Sequence, residues 1–196
     1  MHRKFSREKV NTMSYNYWQG KKIRLRALEE KDASFFHTYD DEIMRRLDEI
    51  QLPETSEQII EWIQKEQNPK TEDQFFWIAE DVDGNVIGEI STSQCKRRHG
   101  TFKYGIALSR NYQGKGYAKE MILLVLRYFF MELRYQKVTP HVYAFNEPSI
   151  KLHERMGFVR EGQLRNMVYT NGQYYDAIFF GMTKQEYESL YGDYFD

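Results

Sequence analysis

An α+β fold, built on one mixed but mostly antiparallel twisted sheet of about seven strands flanked by about four helices, is predicted by three observations. The 196 residues suit one domain able to bury a sizeable core. Hydrophobic periodicities of strand and helix type follow one another in the order β-α-α-β-β-β-α-β-α-β-β. One segment, residues 116–134, is apolar on almost every side and therefore has to be covered by other elements.

Taken in order, residues 22–27 alternate charged side chains with Ile23, Leu25 and Ala27, the period of a half-buried strand. Asp32 is then expected to cap a helical stretch carrying Phe35, Phe36 and Tyr39. Beyond the break at Pro53, Thr55 and Ser56 followed by Glu57 and Gln58 open a second helix, with Ile59, Ile60, Trp62 and Ile63 on its apolar side. Residues 74–81 and 86–93 are β-rich and meet through Asp83-Gly84-Asn85, a strong hairpin signal. Residues 101–108 add a third strand and complete an antiparallel meander. After the apolar helix, residues 137–145 form a strand in which Pro140 marks an edge or a bulge. A short helix over 148–156 has Pro148 in its first turn and Gly157 just past its end. Strands over 158–164 and 174–182 flank the Asn171-Gly172 turn, and a short helix from Lys184 closes the chain. Residues 1–16 are polar and charged and read as a flexible tail, with Met13 an alternative start, ahead of one domain over 17–196.

Composition excludes several classes. Charged residues are 29%, hydrophobic 41% and aromatic 16%, with 15 Tyr and 13 Phe, which fits an aromatic-rich globular interior and not a disordered chain. A net charge of −1 supplies no basic field, so no nucleic-acid partner is expected. The longest purely apolar run, 121–126, is far too short to span a bilayer, so no membrane partner is expected either. Cys95 is the single cysteine; it permits no internal disulfide and no cysteine-type metal site, so no metal is expected and a reducing, cytoplasmic setting fits.

The sharpest local feature is Gln113-Gly114-Lys115-Gly116-Tyr117-Ala118, set between a strand and the apolar helix. Glycines there permit backbone angles closed to other residues, and the turn ends where the helix's first N–H groups lack partners and its dipole favours a phosphate. The same glycines could serve only to turn a strand into a helix. A Walker loop is excluded because Tyr117, not Lys, follows Gly116, and the dinucleotide fingerprint lacks its third glycine.

Gln113, Gly116 and Ala118 occupy the positions of a Gln/Arg-x-x-Gly-x-Gly/Ala loop. Downstream, residues 146–158 carry Asn146, Ser149 and a terminal Gly157-Phe158 in an Asn-x-x-Ser/Ala helix pattern, one helix and one strand further on. On these residues, and over most of 22–187, the chain resembles the GNAT superfamily of N-acetyltransferases. Residues 112–118, Glu161-Gly162 and Asn171-Gly172-Gln173-Tyr174 are similar to the branch holding ribosomal-protein N-terminal and spermidine/spermine N-acetyltransferases. The resemblance implies the GNAT fold, acetyl-CoA as donor cosubstrate, and transfer by direct attack in a ternary complex to a primary amine: a polyamine, another small amine or a protein N-terminus. It also points to a homodimer.

By the same resemblance, the CoA pyrophosphate is expected on the amides of Gln113, Gly114, Lys115, Gly116, Tyr117, Ala118 and Lys119. The pantetheine arm is expected along Ile106, Ala107 and Leu108, in a cleft where that strand and 137–145 diverge, with Asn146 and Ser149 beside it. Asn146 equally suits a helix cap. His153 stands where many relatives place a tyrosine near the sulfur, and histidine can act as the acid for the departing thiolate; the alternative is a packed helix-face histidine. Glu89 is the candidate base, or else a solvated strand carboxylate, with His141 and Tyr143 in reserve. Asp40-Asp41-Glu42 and Asp48-Glu49 form either a negative wall for a cationic acceptor or a solvated face. Lys96-Arg97-Arg98-His99 either borders the CoA phosphate or keeps a turn soluble. Lys103, where polyamine-type relatives carry an acid, weighs against a polyamine. Lys103, and His153 in the tyrosine position, also leave room for a catalytically silent acetyl-CoA sensor or interaction module.

Overall fold

A computed structural model describes residues 16–47, 50–68 and 73–195. The expected tail over 1–15 and the acidic pair Asp48 and Glu49 lie outside the described residues. The chain runs β1 (Ile23–Ala27), a 3₁₀ turn (Glu30–Asp32), α1 (Ala33–Phe36), α2 (Asp41–Leu47), α3 (Ser56–Glu66), β2 (Phe76–Asp81), β3 (Val86–Lys96) and β4 (Thr101–Leu108). A second 3₁₀ turn (Arg110–Tyr112) leads to α4 (Tyr117–Met131), β5 (Lys137–Val138), β6 (His141–Tyr143), α5 (Glu147–Arg155), β7 (Val159–Thr170), β8 (Gln173–Thr183) and α6 (Lys184–Tyr191).

One eight-stranded sheet has the order β1-β2-β3-β4-β5-β8-β6, with β7 on the other edge of β8. β2, β3 and β4 form the expected antiparallel meander, and β1 extends it by pairing antiparallel with β2. β4 and β5 are parallel, but only through Thr101↔Lys137 and Phe102↔Val138. The single strand expected over 137–145 is therefore two short ones. Pro140 has no N–H to give a ladder; its carbonyl accepts from Phe180 N at 3.0 Å, and β6 pairs with β8 instead of β4. Past Phe102, β4 has lost its neighbour and a cleft opens.

α4 covers one face of the sheet. Met121 to Leu126, Phe129 and Phe130 are fully buried against Phe102, Phe180 and Met182, with Phe102 and Phe129 stacked at 4.1 Å between ring centroids. α1 and α3 cover the other face through Ala33, Ile59 and Ile63 on Leu28 and Ile78. α3 starts at the expected capping box, Thr55 Oγ1 accepting from Gln58 N and Gln58 Oε1 from Thr55 N.

Three local expectations need correcting. Asp32 holds the N-cap position of α1 but its side chain caps no N–H of that helix: its backbone is already helical, Glu29 caps the 3₁₀ turn before it, and the Asp32 carboxylate takes Glu29 N at 2.9 Å and the Arg26 guanidinium at 2.7 and 2.8 Å. The helical region ahead of Pro53 is two helices, because the Asp40 carboxylate accepts from both Glu42 N and Ile43 N and starts α2 afresh. With β5 and β6 split as well, the described residues hold eight strands and six α-helices, against the expected seven and four.

Candidate active site

The cleft at the strand divergence is a cavity of about 660 Å³. Its lining comes from Ile106, Ala107 and Leu108 on β4, from Gln113, Gly114 and Gly116 in the turn, from Tyr117, Ala118 and Lys119 at the start of α4, and from Asn146, Ser149 and Leu152 on α5. Ile43, Arg46 and Leu47 of α2 close the far side. Eleven of the twelve positions expected to meet the cosubstrate thus surround one space. Lys115 is the exception: it is absent from the lining, and its ammonium lies over the Tyr112 ring at 5.5 Å.

The turn is built by backbone conformation. Gly114 and Gly116 have φ of +76° and +87°, a region costly for residues with a Cβ, while a Cβ at either position would meet nothing within 4 Å. Gln113 Nε2 donates to Leu108 O at 3.0 Å and ties the turn to the end of β4. Among the described residues no side chain caps the 15-residue α4, so its first-turn N–H groups remain for a ligand, with the positive end of the helix dipole behind them. Lys119 adds charge at the rim. Its ammonium rests against Tyr191 and Tyr194, 4.9 and 5.3 Å from their ring centroids.

Asn146 is a helix cap that also faces the cavity. It accepts from Ser149 N at 3.4 Å at the start of α5.

His153 is not at the cavity surface. It is 2% exposed, in the layer between α5 and β4. Nδ1 meets Ser149 O at 2.7 Å, and since a carbonyl only accepts, Nδ1 carries the proton and Nε2 accepts from the Tyr104 hydroxyl at 2.8 Å. The imidazole is stacked at 5.2 Å on Phe180 and lies within 8° of the Tyr104 ring plane. Burial holds its pKa below the ordinary value, only partly countered by the Ser149 carbonyl, so the ring is neutral near pH 7. Tyr104 is the residue the sequence reading missed. Period-two spacing through Phe102, Tyr104 and Ile106 was the available signal, placing Tyr104 on the α4 face of β4.

Glu89 lies on the opposite face of the sheet, directly across from Ala107 on β4 and Ile78 on β2. It is 8% exposed and absent from the cavity lining. Burial, and then the charge of Glu66, push its carboxyl up to about 8, so it is mostly protonated at neutral pH. It is not a solvated strand carboxylate.

Asp40 and Glu42 of the acidic stretch are ion-paired within the chain. Arg110 bonds both Asp40 and Glu42, at 2.6 Å to the latter, and Glu42 also pairs with Arg46. The Arg110 hydrogen bond holds the Asp40 carboxyl down at about 2. Lys96 to His99 sit at the β3–β4 turn, the opposite end of β4 from the glycine turn, and Arg97 grips Asp73 at 2.7 and 2.8 Å; they do not line the cavity. Lys103 lies over the Phe179 ring at 5.2 Å, and His141 stacks on the same ring at 5.5 Å. Tyr143 stacks on Phe145, extending an aromatic surface along β6.

Comparison with known proteins agrees with this geometry. Residues 22–159 match the family model of the acetyltransferase (GNAT) domain. The chain is 47% identical over 180 residues to YokL, an uncharacterized SPbeta prophage-derived N-acetyltransferase of Bacillus subtilis, covering 92% of this chain and 100% of that protein. It is 30% identical over 156 residues to spermidine N(1)-acetyltransferase of Vibrio cholerae, covering 79% and 89% of the two chains. A crystal structure of spermidine N-acetyltransferase from Vibrio cholerae with CoA and spermine superposes with a TM-score of 0.77 at 28% identity, covering 86% of this chain and 99% of that one.

Proposed function

Because the chain belongs to the GNAT acetyltransferase family and is on that ground an acetyl-CoA-dependent acetyltransferase, we propose that it acetylates a primary amine in this cleft, by direct attack in a ternary complex. One observation carries the reading: the glycine turn, the open edge of β4 and the Asn146–Ser149 end of α5 converge on a single cavity. The uncapped amides of α4 suit the pyrophosphate. Beyond Phe102, the unpaired edge of β4 suits the amides of a pantetheine arm laid down as an added strand. An arm running from the turn past Leu108, Ala107 and Ile106 brings its thioester toward Gly105 and Tyr104, where the strands part. A β4 N–H aimed at the thioester oxygen there would stabilise the tetrahedral intermediate, a contribution of about 3–4 kcal/mol in acyl transfer generally.

Glu89, across the ladder from Ala107 of the cavity wall, is assigned as the base that frees the amine lone pair through an intervening water; its raised pKa is matched to that task. Protonation of the leaving thiolate is assigned to the Tyr104–His153 pair. His153 acts there as the positioning member, fixing the Tyr104 hydroxyl through Nε2 and the Ser149 carbonyl through Nδ1.

The Vibrio relative bears the name of a spermidine acetyltransferase, which supports a small-molecule amine. Against a polycation stand Lys103 and the prior pairing of Asp40 and Glu42 with Arg110, so an acceptor with one amine, or a peptide N-terminus, fits better than a polyamine. Exposed Val159, Leu164 and Met167 along β7 support a homodimer, and the lone Cys95 supports a cytoplasmic setting. No helix among the described residues is long and apolar enough to cross a membrane. The test is thiol release from acetyl-CoA with spermidine, an aminoglycoside, free amino acids and short peptides. Release with a single-amine acceptor exceeding that with spermidine is expected; no release with any amine would refute the assignment.

A further inference from the structure

The charged residues lining the cavity are Arg46, Lys119, Glu147, Lys151 and Arg155, and two of the cations are already spoken for. Lys151 pairs with Glu147 at 3.1 Å, and Arg46 pairs with Glu42. Lys119 and Arg155 face the space with no carboxylate partner among the described residues. Glu120, the acid next to Lys119, is turned away: its carboxylate accepts from Lys22 N at 3.0 Å and from Lys21 N. Arg155 stands in the last turn of α5, where a cation also suits the helix dipole. Lys119 has no such explanation. It stands in the first turn of α4, at the positive end of the dipole, where a cation is disfavoured unless an anion joins it.

The end of α6 holds Lys119 in that place. Its ammonium lies 4.9 Å from the centroid of the Tyr191 ring, and the Tyr191 hydroxyl donates to Met156 O at 3.1 Å. Met156 follows Arg155 and lines the cavity beside it. One tyrosine therefore ties the start of α4 to the end of α5, and with them the two unpaired cations. Tyr194 adds a second ring at 5.3 Å from Lys119 and carries Lys21 at 4.9 Å as well; its own N–H donates to Tyr191 O at 3.1 Å. A ring face attracts an ammonium without neutralising it. Lys119 is thus fixed in position while its charge stays free for a ligand.

We propose that Lys119 and Arg155 form the seat of the 3′-phosphate on the ribose of acetyl-CoA, with Tyr191 as the positioning residue for Lys119. The proposal rests on the reading above that acetyl-CoA occupies this cleft. In that reading the diphosphate takes the backbone amides of the glycine turn, and the pantetheine arm leaves inward along Leu108, Ala107 and Ile106. The nucleotide end then leaves the turn outward, over the first turn of α4 and the end of α5, where Lys119 and Arg155 stand. A phosphate monoester carries close to two negative charges at neutral pH. Two cations on separate helices match that charge, and the Arg155 guanidinium can meet two phosphate oxygens at once. The seat makes the protein selective for CoA over dephospho-CoA, which lacks only this group, and leaves the thioester untouched.

Calorimetric titration with CoA and with dephospho-CoA tests it without any acceptor, on the unsubstituted protein, Lys119→Gln, Arg155→Gln and Tyr191→Leu. The unsubstituted protein should bind dephospho-CoA roughly 10- to 100-fold more weakly than CoA. Each charge variant should weaken CoA by roughly 3- to 10-fold and leave dephospho-CoA within about 2-fold of its starting Kd. Tyr191→Leu, which keeps both charges, should narrow the gap between the two ligands by roughly 2- to 5-fold; lost stability alone would weaken both ligands alike. Equal affinity of the unsubstituted protein for the two ligands would overturn the seat. So would charge variants that weaken both ligands equally, because the cations would then meet the diphosphate. Either result leaves the acetyl-CoA reading of the cleft intact. An unsubstituted protein that binds neither ligand would remove that reading, and the seat with it.

Discussion

Replacing Glu89 by glutamine removes a titrating group while keeping its shape. Folding carries the carboxyl from its ordinary 4.5 up to about 8, chiefly by burial. Between those values the folded chain holds a proton that the unfolded chain has lost. Stability must therefore fall as pH rises through this window, the contribution being fully present only below about 4.5. At about 1.36 kcal/mol per pKa unit, the whole window is worth roughly 5 kcal/mol. Glutamine is neutral throughout, so Glu89→Gln should match the unsubstituted protein near pH 5 and exceed it near pH 9. The difference in Tm should be roughly 10–20 °C for a chain of this size. His153, whose lowered pKa acts in the opposite sense by losing stability as pH falls below its ordinary value, is present in both proteins and cancels. Thermal unfolding in matched buffers from pH 5 to 9 reads the effect directly. The same group should appear as a rising limb near pH 8 in kcat/KM, abolished in the variant. Parallel Tm-versus-pH curves for the two proteins would refute the buried-acid assignment.

Other substitutions test other parts of the cleft. Gly116→Val, forcing a branched residue to φ +87°, should abolish CoA-induced thermal stabilisation while leaving a folded chain destabilised by about 1–2 kcal/mol; retained CoA binding would show that the turn is only a turn. His153→Ala should slow transfer by roughly 10²–10⁴-fold with CoA affinity little changed, and should also cost about 2–4 kcal/mol of stability because it empties a packed, bonded position. Tyr104→Phe keeps the packing and loses only the bond to Nε2; if its kcat is normal, the pair takes no part in protonating the thiolate. Tyr194→Ala frees Lys119 from one of its two aromatic supports and should raise the Kd for CoA by roughly 2- to 5-fold, measurable by calorimetry and absent if Lys119 does not meet the cosubstrate.

What could be read from the chain alone was what local chemistry decides. Asp83-Gly84-Asn85, the Thr55–Gln58 capping box, the positive-φ glycines at 114 and 116, and Asn146 with Gly157 at the two ends of α5 each fix their own backbone, and each was found in place. What could not be read was settled between distant segments. β6 abandons β4 for β8 at Pro140, a choice made by strands about to be synthesised and not by residues 137–145 themselves. That Asp40 and Glu42 are ion-paired could not be read locally, because Arg110, 70 residues from Asp40, folds back onto them. The position of His153 on α5 was legible, but its inward turn toward Tyr104 depends on a strand 49 residues earlier.

The central claim is that this cleft passes an acetyl group from acetyl-CoA to an amine, and the most direct measurement follows both products of one reaction. Free CoA thiol and acetylated amine should be quantified together, by thiol titration and mass spectrometry, for the unsubstituted protein and for Gly116→Val. Thiol release that requires the amine, equals the acetylated product mole for mole and vanishes in the glycine variant is the predicted result. Thiol release without amine, or no acetylated amine from a protein that CoA stabilises, would contradict it.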